Sequence, residues 1–424
     1  MKNVFVFPCG SEIALEIARS LSGDRHFHLI GGASVKDHGR FVYNDIVEDV
    51  PWLNDEAFLP YMAKIVKERQ IDLIYPAMDN AAVILKRAER FLGCPVVTSP
   101  IQTVETCYSK RLTYSVLSQY IRVPIIYAPT DELRYPIFAK PDVGYGSRGA
   151  AIVRNAAEKE QLMRNSSDML LLEYLPGDEY TVDCFSNRHG ELMFSGARIR
   201  DRIVNGISVH TMPVAGEEQE LFSRVVKTIS SVMEFHGAWF AQFKKDEEGK
   251  LVLLEVAARL GGSSGLYRGL GINFAVLSLW DALCCDVSII ANCFSVEMDR
   301  SLDNKYKLDI HYNEVFLDYD DTVVMSVDGT VNAMLMGFVF ACRNRGIKVT
   351  ILSRHQGNLM EALRSQKIEG LFSRVIHVPP GGVKSDYIDN PNSIFIDDSF
   401  AERRDVLQRH RIPVFGLDMI DALM

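Results

Sequence analysis

The chain has 424 residues, of which 47% are hydrophobic and 24% charged, and its formal net charge is −9 at pH 7. This length predicts two or three folded units. The acidic balance, without a run of basic residues, argues against a nucleic-acid partner, and the lack of an apolar stretch of about 18 residues argues against a membrane span.

The first residues lead directly into a predicted strand, Val4 to Phe7, without the pattern of a secretion signal. Eight cysteines are scattered without metal-ligand spacing, which is typical of reduced thiols in a core. We therefore expect a cytoplasmic protein. Cys9 follows the first strand and is weighed as a nucleophile, although core packing is the favoured interpretation.

The first hundred residues alternate predicted strands and helices, which predicts an open α/β domain with a parallel sheet. The predicted strands are Val4 to Phe7, His26 to Ile30, Ile71 to Tyr75 and Pro95 to Val97, and the helices are Ile13 to Leu21, Glu56 to Glu68 and Ala81 to Leu92. The turn after the first strand contains Gly10 but lacks the glycine pattern of a dinucleotide site. A nicotinamide enzyme is therefore disfavoured.

A glycine-rich loop lies between two predicted strands, Tyr135 to Ala139 and Ala150 to Val153. Backbone N–H groups of such a loop can close over a polyphosphate, and Lys140 at its start would be a fixed cation. A plain glycine-rich hairpin is the alternative for this segment considered alone.

Oxygen-bearing side chains recur on the strands that follow. Glu173 and Glu179 flank a tight turn between two predicted strands, with Gly177 inside it. Gln242 and Glu255 lie on two strands of a predicted hairpin, where they would face each other, and Arg259 follows closely. Such oxygens on neighbouring strands favour a magnesium–triphosphate site.

Residues 1 to 295 resemble the ATP-grasp superfamily, in particular the carboxylate ligases similar to carbamoyl phosphate synthetase and biotin carboxylase. The resemblance implies an ATP and Mg²⁺ site, with Glu173 at the adenine, Glu179 at the ribose, Gln242 and Glu255 at the metal and Arg259 at the transferring phosphate. It also implies that Lys110 and Lys140 bind phosphates. The lid loop would contain Gly144, Gly146, Ser147 and Gly149.

One position departs from the pattern of this family. Ala257 stands where an asparagine metal ligand is expected, which predicts a weakened or single metal site. Simpler interpretations also remain for other residues: Lys110 as the start of a helix, Glu173 as the end of an edge strand, and His210 as a structural histidine. The segment 198–202 is read as a solvated charged strand, or as three arginines that suit an anionic carboxylate substrate.

Acidic, hydroxyl and basic side chains follow the predicted strands near the C-terminus. Asp318, Asp320 and Thr322 come after Val315 to Leu317, Ser353 comes after Val349 to Leu352, and Asp397 and Asp398 come after Ser393 to Ile396, with Lys384 between the last two strands. A parallel sheet would present these residues at one edge. One carboxylate attacking phosphorus, a second donating a proton, and a hydroxyl and an ammonium holding oxygens would constitute phosphoryl chemistry.

This segment resembles the haloacid dehalogenase (HAD) superfamily of phosphohydrolases in all four motifs. The resemblance implies Asp318 as nucleophile, Asp320 as general acid and base, Ser353 and Lys384 as phosphate-binding groups, and Mg²⁺ held by Asp318, Asp397, Asp398 and the backbone carbonyl of Asp320. Taken singly, these residues also fit a turn hydroxyl, a surface lysine and a helix N-cap. The intervals between motifs leave no room for a separate cap domain, which predicts an open site.

The predicted fold is α/β and α+β, with an open parallel sheet in residues 1–105, an ATP-grasp domain in 106–302 and a Rossmann-like HAD domain without a large cap in 312–424. We expect a bifunctional enzyme that joins a small-molecule carboxylate to an amine or a related nucleophile and also hydrolyses a phosphorylated metabolite. A phosphatase with a degenerate nucleotide-binding module, or a non-catalytic regulatory protein, are the alternatives. The sequence does not identify either substrate, and it is compatible with a homo-oligomer.

Overall fold

The computed structural model describes residues 1–22, 24–144, 148–165, 168–204, 206–292, 294–301, 306 and 308–424. The chain divides into two compact units, residues 1–302 and residues 303–424. Separate clusters of buried apolar side chains stabilise each unit. None of the helices in the described ranges is both long and apolar enough to cross a bilayer.

The N-terminal unit begins with a parallel sheet in the strand order β3-β2-β1-β4. Its strands are β1 (Lys2–Phe7), β2 (Phe27–Gly32), β3 (Asp45–Val47) and β4 (Leu73–Pro76). The helices in this part of the chain are α1 (Glu12–Ser20), α2 (Gly39–Val42), α3 (Phe58–Glu68), α4 (Asp79–Arg87), α5 (Glu89–Leu92), α6 (Ile101–Tyr108) and α7 (Lys110–Leu117). The open parallel sheet predicted for this region is confirmed.

Two details of that prediction are wrong. The helix predicted over residues 81–92 is split into α4 and α5. The strand predicted over 95–97 forms an isolated bridge between Ile74 and Val96, because Pro95 has no N–H group for a longer ladder.

Two antiparallel sheets make up the rest of the N-terminal unit. The smaller has the order β5-β8-β6-β7, and the larger has the order β13-β12-β9-β10-β11-β14. The smaller contains β5 (Ile126–Tyr127), β6 (Ile137–Pro141), β7 (Ala151–Val153) and β8 (Met169–Glu173). The larger contains β9 (Glu179–Ser186), β10 (Leu192–Val204), β11 (Ile207–Pro213), β12 (Gly237–Lys245), β13 (Leu251–Ala257) and β14 (Met298–Asp299). The accompanying helices are α8 (Ala156–Asn165), α9 (Gly216–Val232), α10 (Gly265–Gly269) and α11 (Phe274–Ala282).

The turn between Glu173 and Glu179 connects these two sheets. β8 belongs to the smaller sheet and β9 to the larger, so the chain changes layers at Gly177. A Cβ on Gly177 would lie 2.7 Å from the carbonyl oxygen of Lys245, which explains the glycine. The two glutamates therefore lie at the junction of the sheets.

The C-terminal unit is a parallel sheet in the order β17-β16-β15-β18-β19. Its strands are β15 (Glu314–Leu317), β16 (Lys348–Ser353), β17 (Arg374–His377), β18 (Ser393–Ile396) and β19 (Val414–Phe415). The helices are α12 (Ala333–Asn344), α13 (Leu359–Ser365) and α14 (Phe400–His410), with short 3₁₀ helices at Glu369–Leu371, Lys384–Tyr387 and Leu417–Leu423. The parallel sheet predicted here is confirmed, and β15 lies between β16 and β18.

Candidate functional site

The N-terminal unit contains a cavity of ≈ 350 Å³ between its two antiparallel sheets. Phe138, Ile152, Leu172 and Leu254 make part of its wall apolar. Among the predicted site residues, the wall contains Lys110, Lys140, Gly144, Glu173, Glu179, Gln242 and Glu255. An apolar wall beside convergent charged groups suits a ligand with a flat ring and an anionic tail.

Two of the lysines that line the cavity, Lys110 and Lys140, are buried and held by backbone oxygens. Lys140 on β6 is 8% exposed, and its Nζ donates to the carbonyl oxygen of Leu254 at 2.9 Å. Lys110 opens α7 and donates to the carbonyl oxygens of Asp142 and Gly144, both at 3.2 Å. Burial lowers the pKa of Lys140 to about 8, and the charge of Glu255 opposes this only partly. The ammonium group of Lys110 therefore lies at the start of the glycine-rich loop, and that of Lys140 lies against β13.

The loop itself is described in part. Gly144 contributes to the cavity wall, and Gly149 has φ of +76°, a conformation that glycine adopts without strain. A Cβ on Gly149 would also approach Pro141 to 3.1 Å. Gly146 and Ser147, which were predicted to belong to the lid, lie outside the described residues.

Glu173 and Glu179 already have partners in the protein. The Oε1 atom of Glu173 accepts from the backbone N–H of Ile125 at 3.0 Å, and its Oε2 atom lies 3.2 Å from Arg122. Glu179 forms an ion pair with Arg200. Both carboxylates are thus fixed at the edge of the cavity.

One face of the larger sheet presents a row of polar side chains across four strands. Gln242 pairs in register with Glu255 on β13 and with Thr181 on β9, and Thr181 pairs with Arg198 on β10. Directly opposed residues share a face of a sheet, so the four side chains form a line. The prediction that Gln242 and Glu255 face each other is confirmed.

A second cavity of ≈ 840 Å³ adjoins the first and is lined by the parallel sheet and the larger antiparallel sheet. Arg200, Gln242 and Glu255 line both cavities. Arg259 also lines the second one, where it makes a bidentate ion pair with Asp79 at 2.8 and 2.7 Å. Its guanidinium is therefore fixed at the wall of the second cavity.

The floor of the second cavity includes buried polar groups. Arg198 is 3% exposed and donates to Asp183 at 2.6 Å, so it is not the solvated strand residue that was the first interpretation of segment 198–202. Arg202 of the same segment is exposed and pairs with Asp299. Arg198 and Arg200 line the cavity from one face of β10, whereas register shifts in its pairing with β11 follow Arg200 and interrupt the alternation before Arg202.

The C-terminal unit gathers its acidic residues where β15 and β18 end. Oxygen atoms of Asp318, Asp397 and Asp398 all lie within 4.8 Å of one another. Lys384 Nζ lies 2.8 Å from Asp318 Oδ1 and 2.6 Å from Asp397 Oδ2. Asp398 instead accepts a hydrogen bond from the hydroxyl of Thr322, which lies 3.3 Å from Asp398 Oδ1.

Burial and mutual repulsion shift the pKa values in this cluster. Burial, followed by the charge of Asp318, raises the pKa of Asp397 to about 7. Burial also raises the pKa of Asp318, against the opposing charge of Lys384. Burial alone would lower the pKa of Lys384, but its two carboxylate partners outweigh this and raise it. The cluster therefore has excess negative charge that a further cation would offset.

Asp320 and Ser353 lie beside the cluster. Ser353 is buried, and its hydroxyl lies 3.4 Å from Asp320 Oδ2. Asp320 also contacts His355, whose Nδ1 is 2.8 Å from Oδ1. The N-cap of α14 is Ser399, whose hydroxyl accepts from Glu402 N, and not either aspartate of the preceding pair.

The two sites differ in how well they fit magnesium. Three converging carboxylates in the C-terminal unit are a donor set of the kind Mg²⁺ prefers, completed by water or phosphate. In the N-terminal unit, Gln242 and Glu255 offer oxygens, but Ala257, two residues along the same face of β13, offers none. This second set fits one ion shared with phosphates.

Two residues of these sites were not assigned individually from sequence. Arg200 was part of a charged tract, and nothing in its spacing showed that it would reach Gln242. His355 follows Ser353 by two residues and had no motif of its own. Cys9 is buried and its pKa is raised to about 12 by burial and by Asp37, which favours the interpretation as a core thiol.

Comparison with known proteins supports the ATP-grasp superfamily for the N-terminal unit. Residues 165–295 match a family model described as ATP-grasp in the biosynthetic pathway with Ter operon. The chain is 24% identical over 192 residues to a D-alanine–D-alanine ligase of Fusobacterium nucleatum, covering 42% of this chain and 64% of that ligase.

Solved structures extend the likeness of fold. The biotin carboxylase domain of Hydrogenobacter thermophilus 2-oxoglutarate carboxylase, solved with MgADP, ADP and bicarbonate, has a TM-score of 0.58 at 16% identity over 69% of this chain and 71% of its own. L-amino acid ligase from Bacillus licheniformis has a TM-score of 0.55 at 22% identity over 67% and 74%. The mixed α/β fold with ATP-grasp-like neighbours is therefore established, whereas the HAD assignment of the C-terminal unit stays a prediction.

Proposed function

We propose that residues 1–302 form an ATP-dependent ligase that joins a small-molecule carboxylate to an amine or related nucleophile through an acyl phosphate. The observation that carries this proposal is the wall shared by the two cavities. Arg200, Gln242 and Glu255 border both, so a triphosphate lying along Lys110 and Lys140 would end where the second cavity opens. An acceptor in the second cavity would meet the terminal phosphate there.

The reaction requires the carboxylate to become electrophilic. Its oxygen attacks the terminal phosphorus of ATP, and the bond from that phosphorus to ADP breaks. The amine then attacks the acyl carbon, loses a proton, and inorganic phosphate leaves. In this proposal Lys110 and Lys140 bind the phosphates, Glu173 and Glu179 border the adenine and ribose, and Arg259 orients the transferring group.

We also propose that residues 312–424 form a phosphohydrolase of the HAD type. Asp318 attacks phosphorus while the ester bond breaks, and Asp320 gives a proton to the leaving oxygen. Water then attacks the aspartyl phosphate, Asp320 takes its proton, and phosphate is released with Asp318 regenerated. Ser353 and Lys384 hold the phosphoryl oxygens during both steps.

Magnesium, when bound, supplies positive charge against the phosphates in each unit. Asp318, Asp397, Asp398 and the carbonyl of Asp320 would hold it in the C-terminal unit, and Gln242 with Glu255 in the N-terminal one. Covalent linkage of the two units suggests consecutive steps on one small molecule, with ATP as a substrate of the first.

A screen of carboxylates with amines tests the ligase. Wild-type protein, Lys140→Ala and Asp318→Asn would each be incubated with ATP and Mg²⁺, and ADP release would be measured. We expect amine-dependent ADP release in the wild type and in Asp318→Asn, and its loss in Lys140→Ala. Nucleotide binding without any such turnover would favour the alternative of a degenerate nucleotide-binding module.

His355 provides a prediction for the phosphatase. Its imidazole fixes Asp320 at 2.8 Å and packs edge-on against Tyr319 with ring centroids 5.1 Å apart. We expect His355→Ala to lower kcat for an alkyl phosphate by about tenfold while KM changes little, because the proton donor is less well oriented. His355→Asn, which keeps a hydrogen-bond donor, should recover part of the rate. An increase in KM alone would contradict this positioning role.

A further inference from the structure

Arg200 occupies the boundary between the two cavities of the N-terminal unit. Its side chain is 8% exposed although it carries a charge. It forms an ion pair with Glu179, and it donates to Gln242 Oε1 at 3.2 Å and to the carbonyl oxygen of Gly206 at 2.7 Å. These contacts use three of the five N–H donors of a guanidinium, so within the described residues two donors are left for an anion.

The sheet itself holds Arg200 in this place. β10 pairs with β9 up to Ile199 opposite Tyr180, and Arg200 is paired on its other side with Thr211 of β11. Its position two residues from Arg198 puts it on the face that carries the polar row with Gln242 and Glu255. The cation is therefore part of the rigid scaffold and not of a surface loop.

The proposed metal site next to Arg200 has few side-chain oxygen ligands. Glu255 is its carboxylate and Gln242 its amide, and Ala257 on the same strand face contributes no ligand atom. A second divalent cation would need further oxygens. The guanidinium already places one positive charge 3.2 Å from Gln242 Oε1, so a second divalent cation would add to the positive charge of a site that has Glu255 as its carboxylate ligand.

We propose that Arg200 supplies the positive charge that a second divalent cation would bring to the phosphates, so that this site works with one Mg²⁺ per ATP. The proposal rests on the proposed ligase function and concerns how that site neutralises its substrate. A guanidinium suits this role because it binds phosphate oxygens through two N–H groups and keeps its charge at all working pH values.

The number of bound cations tests the proposal directly. Full-length protein would be dialysed to equilibrium against Mn²⁺ with and without a non-hydrolysable ATP analogue, and the Mn²⁺ gained per bound nucleotide would be counted. We expect a gain of one in the wild type, because cations held by the C-terminal unit are present in both samples and cancel. We also expect a gain of two in the double variant R200A/A257N.

Turnover provides the second measurement. Arg200→Ala should lower kcat of amine-dependent ADP release by about 100-fold with a smaller change in the KM for ATP, because the charge is needed most in the transition state. Arg200→Lys, which keeps a point charge but not the fork, should lose about tenfold. Arg202→Ala is the matched control on the same strand, since that side chain is 56% exposed and pairs with Asp299. It should behave as wild type.

The outcomes separate this inference from the proposed function. Wild-type protein that gains two Mn²⁺ per nucleotide, or Arg200→Ala with undiminished kcat, would overturn the role of Arg200 and leave the ligase standing. Protein that binds no nucleotide would overturn both. If Arg200 has only a structural role, Arg200→Ala should lower thermal stability, and the wild-type protein should gain two Mn²⁺ per bound nucleotide.

Discussion

Asp318→Asn should reduce hydrolysis of an aryl phosphate by at least about 10³-fold, because an amide cannot form the aspartyl phosphate. Asp318 is 4% exposed, directly follows the central strand β15, and lies 2.8 Å from Lys384. Asparagine has nearly the same size, so the fold should persist. Phosphate release from the aryl ester, measured at saturating Mg²⁺, checks the prediction.

Two further variants make this test specific. Asp321→Asn is the matched control, since Asp321 hydrogen-bonds to Ser326 in the following turn and asparagine tolerates its positive φ of 51°. It should stay within a few-fold of the wild type. Asp320→Asn should impair alkyl phosphates more than aryl phosphates, because phenolates leave without full protonation. If Asp318→Asn retains activity within tenfold of the wild type, Asp318 is not the nucleophile.

Lys140→Ala should weaken binding of ATP by about 30- to 100-fold, in line with about 2–3 kcal/mol for a buried charge-assisted contact. Lys140 lies in the wall of the cavity proposed for the nucleotide, where Leu254 and the ring of Tyr114, with its centroid 5.5 Å from Nζ, hold the ammonium in place. Calorimetric titration with a non-hydrolysable analogue measures the effect. Lys250→Ala, at an exposed hairpin position, is the control and should bind as the wild type does.

The same lysine predicts a pH dependence. Its pKa is lowered to about 8, chiefly by burial, so the side chain is cationic below this value and becomes neutral above it. Affinity for ATP should therefore fall between pH 7 and pH 9, by up to about tenfold per unit above the pKa. Lys140→Arg should bind with little pH dependence over this range, because arginine stays charged. If the affinity for ATP falls with pH equally in the wild type and in Lys140→Arg, the titrating group is not Lys140.

Local patterns predicted those parts of the sites that depend on strand geometry. Gln242 and Glu255 belong to one short hairpin, so their pairing followed from alternation and turn length. Asp318, Ser353 and Asp397 each stand at or directly after the end of a strand, and parallel order placed those ends together. Such arguments need only the period of a strand and the direction of its neighbours.

Contacts between distant segments escaped prediction. Glu173 and Glu179 are six residues apart in sequence and belong to different sheets, which no local pattern encodes. Arg259 pairs with Asp79 of the first domain, and Arg200 reaches Gln242 through the order of strands in the larger sheet. These partners depend on strand order and on side-chain length, and both are settled only when the whole unit packs.

The segment from residue 318 to the start of α12 is where the C-terminal unit has room for additional residues. It leaves the central strand at the edge of the sheet that carries Asp318, and its stretch at 326–330 is exposed, with Val327 at 95%. The strands on either side pair with β15 along the whole length of β15 and do not depend on that stretch. Extra residues inserted there would cover the proposed phosphate site and restrict the substrates that reach it, while the sheet beneath kept its register.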